Sequence, residues 1–395
     1  MSAKTWSDWG TLPLEVLSMI LSNFHRRLRF ADLLASSMVC REWYVQARRL
    51  IDDRIFQNFL ASDNYVFEDI QRIPSLLAKS KRLGLDFLNL IEEMTICPVF
   101  ADDDEFEGFV EAYATVLHLQ PPNLTRLQIH LGNENLTPEY FRWLFDRLEP
   151  LCGGIRSVHF RGHTGSTIST LFMNVIRHYA SVSRLAVFLR SVAPNLETLS
   201  FSNMSLDSRW CNSMSACSSL RELRIDGAIV ENLAPVLGFL LNMSKFCYTC
   251  EHEGYWDAAM VIAALSHPRL TDLTYECTHS LDEPTVPVEA LCDALRQCPL
   301  LERLKLSGTL LVDDAFLSAL LKEGRELKHI ELEWSNRLVG NAVVWNREAG
   351  WPRARTVSLY GCDNVIWQFL HSMQVACPKL EIMKLPDHML DGNFV

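Results

Sequence analysis

The feature that most constrains this chain is a short apolar unit that returns ten times. It places two leucine-like residues three positions apart and a third two positions further on. It reads Leu124/Leu127/Ile129, Ile155/Val158/Phe160, Leu196/Leu199/Phe201, Leu220/Leu223/Ile225 and Met243/Phe246/Tyr248. It continues as Leu270/Leu273/Tyr275, Leu301/Leu304/Leu306, Leu327/Ile330/Leu332, Ala354/Val357/Leu359 and Leu380/Met383/Leu385. From residue 196 the units begin 23 to 31 residues apart, and before it the spacing is looser. Alternation within each unit predicts a short strand with one buried face. Return at a near-constant interval predicts that each unit buries that face by stacking on its neighbours.

The stretches between strands read as helices. Phe316, Leu317, Leu320 and Leu321 fall on one face of a helix over 313–322, and Phe141, Leu144, Phe145 and Leu148 on one face of a helix opened by Thr137-Pro138. A third, over 287–296, turns Leu291 and Leu295 the same way. Ala193-Pro194, His267-Pro268, Cys298-Pro299 and Cys377-Pro378 stop the preceding helix and turn the chain into the next strand. The expected fold is α/β: a curved solenoid with parallel strands inside and helices outside. An earlier, weaker unit is expected near Ser80 with Leu83 and Leu85, and the acidic run Asp102 to Glu107 is expected as a solvated loop before a helix holding Phe109 and Tyr113.

This pattern resembles the cysteine-containing leucine-rich repeats, although only Cys362 stands where that subfamily's characteristic cysteine would be. In such a solenoid the intervening strand positions face outward on the concave side. They are Arg126, His130, His159, Arg161, Glu222, Arg224, Asp226, Asp272, Glu276, Arg303, Lys305, His329, Glu331 and Glu333, with Tyr360 just beyond its strand. Their signs are mixed, and together they are the expected footprint of a target protein.

The first fifty residues have a different period. Leu14, Leu17, Ile20, Leu21 and Phe24 recur at helical spacing, with Thr11 as a cap and Pro13 in the first turn. Asp32 is expected to cap a second helix, and Arg41 to Tyr44 lead into a third. Three short helices cannot close a core in roughly forty residues without a staple, a metal or a partner. Neither a cysteine pair nor a metal set lies there, which leaves a partner. Leu12-Pro13-x-Glu15-x-Leu17-x-x-Ile20-Leu21, then Asp32-Leu33-Leu34, then Val39-Cys40-Arg41-x-Trp43-Tyr44, resembles the F-box. The resemblance implies a module that docks on the Skp-type adaptor of a Skp–cullin–F-box ubiquitin ligase, and through it on a cullin. Leu12, Pro13, Leu17, Ile20, Leu21, Leu33, Leu34, Val39, Cys40, Trp43 and Tyr44 would share adaptor contact and module core between them. The domains expected are an F-box over 9–50, a helical linker over 51–79 and divergent repeats over 80–395. The rival reading keeps the repeats as a binding scaffold and makes the three helices only its cap.

Composition narrows the functions further. A net charge of -11, from 37 Lys+Arg against 48 Asp+Glu, argues against nucleic acid or an anionic membrane as partner. The longest nearly uncharged apolar stretch, 233–243, is far below the ~20 residues of a spanning helix. Twelve scattered cysteines fit reduced thiols in a cytoplasmic or nuclear protein. The chain lacks a phosphate-binding glycine loop, a nucleophile elbow and a zinc helix, so neither catalysis nor a cofactor is expected. Cys247, Cys250 and His252, with Cys277 and His279 one unit later, are the nearest approach to a metal set. Cys247 and Cys250 should point in different directions there, so a stacked, reduced Cys250–Cys277 pair is expected instead of a metal.

Overall fold

The computed structural model describes residues 13, 15–16, 19, 30–50, 67–85, 87–96, 103–131, 138–162, 181–206, 208–227, 229–230, 233–250, 258–277, 288–308, 311–341, 350–386 and 389. The chain divides into two compact units, Met1–Val158 and His159–Val395.

The first unit opens with helices α1 (Phe30–Ser36), α2 (Arg41–Leu50) and α3 (Phe67–Arg82). It continues with strand β1 (Glu93–Ile96), helix α4 (Asp103–His118), strand β2 (Arg126–His130) and helix α5 (Pro138–Leu148), and ends in the first residues of β3 (Ser157–Arg161). Asp32 does not cap α1, because that helix already begins at Phe30. Its carboxylate instead meets Arg72 of α3 at 3.1 Å. The early unit near Ser80 is also corrected. Ser80 lies inside α3 and Leu83 is exposed just past it, whereas the strand is β1, built on Ile91/Met94/Ile96. Those three are fully buried, and Met94 and Ile96 register in parallel with Leu127 and Ile129. The acidic run is not a loop in its described part: α4 starts at Asp103, so residues 103–107 are helical.

The second unit runs through α6 (Ser181–Val192), β4 (Thr198–Ser202), β5 (Ser205–Leu206), α7 (Ser208–Met214), β6 (Glu222–Asp226), β7 (Ile229–Val230), α8 (Ala234–Leu237) and β8 (Lys245–Cys250). It continues with α9 (Ala258–Leu265), β9 (Asp272–Cys277), α10 (Val288–Gln297), β10 (Arg303–Ser307), α11 (Asp314–Glu323), β11 (His329–Glu333), β12 (Thr356–Ser358), α12 (Trp367–Ala376) and β13 (Ile382–Lys384). Strands β4, β6, β8, β9, β10, β11, β12 and β13 pair in that order, all parallel, while β5 and β7 form a small parallel pair of their own.

The repeat strands share one mode of entry. A tight turn closes first: Leu220 N–H donates to Cys217 O, Leu270 to His267 O, Leu301 to Cys298 O and Leu380 to Cys377 O, at 3.1 to 3.3 Å. The next two N–H groups then share one carbonyl of the neighbouring strand. Thr271 and Asp272 both donate to Ser244 O, Glu302 and Arg303 to Thr271 O, and Lys328 and His329 to Glu302 O. This hook fixes register, so the leucine-like residues of successive units stand in line. Leu223, Phe246, Leu273, Leu304, Ile330 and Val357 are all 0–1% exposed. Burying such a side chain contributes roughly 1.5–3 kcal/mol. Aromatic rungs add shape: Phe160 stacks on Phe201 at 5.5 Å with Trp210 edge-on to both, and Tyr248 stacks on Tyr275 at 5.1 Å.

Candidate functional site

Two surfaces carry the residues singled out from the sequence. On the first, α1 packs against α3, and α2 meets the segment before β1 through an edge-on contact of Tyr44 with Phe87 at 5.8 Å. Leu34 is fully buried, so it belongs to the module's own core. Pro13 is exposed, Val39 is 55% exposed, and Cys40, Trp43 and Tyr44 are half-buried. Leu12, Leu17, Ile20 and Leu21 lie outside the described residues, as does the side chain of Leu33. Met19 and Val45 are exposed apolar residues that pattern reading missed. Helical spacing places both near the predicted anchors, and that was the available signal.

The second surface is the face of the strands opposite the apolar core. In the first unit it holds Arg126, 3.6 and 3.5 Å from Glu92 and Glu93, and His130, whose ring meets Gln128 at 2.5 Å. In the second unit, register arranges it in rows. One row runs Glu222, Lys245, Asp272, Arg303 and His329, and its first four members alternate in sign. A second runs Arg224, Cys247, Thr274, Lys305 and Glu331. The third runs Asp226, Thr249, Glu276, Ser307 and Glu333, and its ionisable members are all acidic. Arg161 is half-buried on β3, and Tyr360 lies exposed just beyond β12.

Ion pairs tie the second and third rows together. Arg224 meets Asp226 at 2.5 Å, and that hydrogen bond raises the guanidinium's pKa. Lys305 Nζ lies 2.9 Å from Glu276, 3.6 Å from Glu331 and 3.9 Å from Glu333. Burial opposes the Lys305 charge, but the hydrogen bond to Glu276 and the three carboxylates outweigh it, so its pKa is raised. Asp272 shifts upward because it is partly buried, against the pull of Arg303 and Lys245. His159, hydrogen-bonded to Ser202 at 3.2 Å, is lowered by burial, with Asp226 opposing. His329 shares a 2.9 Å hydrogen bond with Thr356.

Cys250 and Cys277 are register partners on β8 and β9 and both are buried, as the stacking expectation had it, while Cys247 stands on the opposite, half-buried face. Burial pushes the Cys247 thiol up to about 11, which keeps it protonated at neutral pH and a poor metal ligand. Cys362 is buried and its Sγ donates to Leu332 O at 2.9 Å. Among the described residues no group of three His, Cys, Asp or Glu side chains is placed to hold a metal, and His252 and His279 lie outside them. No described helix is long and apolar enough to cross a membrane.

Residues 9–58 match the family model described as F-box-like. A search of curated proteins gave no match. Among solved structures the chain is similar to one in the Rad7 and Elc1 complex of yeast, at 15% identity and TM-score 0.39, over 95% of this chain and 86% of that one. It is also similar to an internalin (InlF) of Listeria monocytogenes, at 14% identity and TM-score 0.43, over 85% and 88%. A third is the leucine-rich repeat domain of the type III effector XopL, at 11% identity and TM-score 0.32, over 91% and 96%. Parallel strands returning with helices between them give an α/β fold of leucine-rich repeats, and the segment that matches the F-box-like model lies ahead of them.

Proposed function

We propose that this chain is a non-catalytic, substrate-recruiting adaptor of a Skp–cullin–F-box ubiquitin ligase. The F-box-like segment binds the Skp-type adaptor, and the repeat face holds a target protein within reach of the ubiquitin-charged enzyme. The observation that carries this reading is the split within the segment. Leu34 is turned inward, whereas Pro13 and Val39 stay uncovered and apolar next to half-buried Cys40 and Trp43. Apolar surface of that kind, in a segment matching the F-box-like family, is what an adaptor groove would cover. The mechanism is proximity, since tethering makes the transfer effectively intramolecular and the chain supplies no acid, base or nucleophile. In this reading the F-box spans 9–50, a helical linker 51–79 and the repeats 80–395. The charged rows, with Arg126, His130, His159, Arg161 and Tyr360, form the target face.

The cap reading draws on the Tyr44–Phe87 and Asp32–Arg72 contacts, which fasten α1 and α2 to the chain beyond them. A pull-down of the full chain with purified Skp-type adaptor separates the two readings. Wild type should be captured, and a Leu12→Ala/Pro13→Ala double variant of unchanged circular dichroism should lose capture. Folded wild type that fails to bind the adaptor would leave the cap reading standing.

A further inference from the structure

Trp334 follows the last residue of β11 and keeps 52% of its surface exposed, with Tyr360 beside it at 39%. The pair is held in place. Trp334 has φ 55° and its N–H donates to Tyr360 O at 2.9 Å, and the two rings meet edge to face at 5.1 Å. A Cβ on Gly361 would come within 2.5 Å of the Trp334 ring, so the indole lies against bare glycine backbone. A bulky residue in the left-handed region costs on the order of 1–3 kcal/mol. Here that conformation leaves about half of a large apolar ring in solvent. Rigid, exposed aromatics of this kind are typical anchors of protein interfaces.

The charge on the strands that lead to the rings selects the occupant. Glu276, Glu331 and Glu333 surround the ammonium of Lys305, the one cation that pairs with them among the described residues. Lys384 is the nearest further cation along that row, two strand spacings from Glu331, or roughly 10 Å. An anionic segment would be repelled, and a purely apolar one would strip water from the carboxylates without replacing it. A cation satisfies both the ring face and the carboxylates. We propose that Trp334 and Tyr360, together with Glu276, Glu331 and Glu333 on the strands that lead to them, anchor an arginine- or lysine-bearing segment of the recruited protein. This rests on the proposed function only in taking the repeat face as the target-binding one.

The test uses the full chain and a fluorescein-labelled peptide of Gly-Ser-Arg repeats, compared with its lysine and glutamate counterparts by fluorescence anisotropy at low and high salt. The arginine and lysine peptides should bind and weaken with salt, and the glutamate peptide should not bind. Trp334→Asn removes the ring with a residue that tolerates the left-handed backbone. It should weaken binding about tenfold, between the sizes of an exposed and a desolvated cation–π contact. The near-isosteric Glu276→Gln/Glu333→Gln variant should lose as much, and it decides the matter if Trp334→Asn does not fold. Equal binding of all three peptides, binding of none, or full affinity in the folded variants overturns the proposal. The adaptor pull-down is run on the same samples. Adaptor capture without peptide binding defeats this site alone, and peptide binding without capture defeats the ligase reading alone.

Discussion

His267 is one residue whose environment sets a condition on the whole fold. It sits 3% exposed in the turn before β9, where its carbonyl accepts from Leu270 N–H, and its Nε2 has no hydrogen-bond partner among the described residues. Burial lowers its pKa, and a hydrogen bond with the Leu237 backbone only partly opposes this. His159 is lowered for the same leading reason. Well above pH 6.5 both imidazoles are neutral, folded or unfolded, and contribute no pH dependence. As pH falls below that value the unfolded chain takes up protons that the folded chain refuses, so stability drops until the depressed folded pKa is reached. The loss should approach about 1.4 kcal/mol per pH unit for each histidine. Urea denaturation at pH 7.5, 6.5 and 5.5 should show stability falling more steeply over the acid interval than over the neutral one, with His267→Gln flattening part of the fall. An unchanged midpoint at pH 5.5 would count against this account.

At the scale of elements, the strands were legible because their signal is local. Three apolar side chains at fixed offsets serve one buried face, and all ten units read from the sequence contain a strand. The eleventh, β1, was missed because Leu83 and Leu85 drew the reading to the end of α3, about ten residues ahead of the strand itself. The face positions followed from the strands, since period two assigns every second residue outward. The two roles within the F-box-like segment were not legible: Leu34 and Val39 look alike in a helical pattern, and only packing separates 0% from 55% exposure. Trp334 was missed because its display depends on a backbone angle and on Gly361. Links between distant elements were hidden in the same way. The helix start at Asp313 was readable, and its carboxylate caps α11 by accepting from Phe316 N–H at 2.8 Å. The adjacent Asp314 accepts from Val339 and Gly340 N–H at 2.9 and 2.6 Å, groups 25 and 26 residues away. Asp314→Ala should therefore cost about 1–3 kcal/mol, more than the loss of a simple helix cap, because two backbone donors lose their acceptor. Thermal denaturation against Asp313→Ala measures it, and an equal or smaller loss would deny Asp314 this second role.

For the molecule as a whole, a repeat array predicts that damage stays near where it is made, because each unit contacts mainly its neighbours. Leu304 is fully buried on β10 between Leu273 and Ile330. Leu304→Ala should cost about 2–5 kcal/mol. In hydrogen-exchange mass spectrometry it should raise exchange in β9, β10 and β11 while leaving β1 and β2 as protected as in wild type. Uniform deprotection would mean that the chain unfolds as one cooperative block. The hook at the start of the repeat strands has a consequence for how such a chain can change length. Each such joint offers one carbonyl and accepts one pair of N–H groups, whichever side chains the strand carries. A duplicated unit placed between β10 and β11 would meet the same fitting on both sides. The gauge of the backbone is thus held constant while the number of rows, and the chemistry written across them, is free to vary.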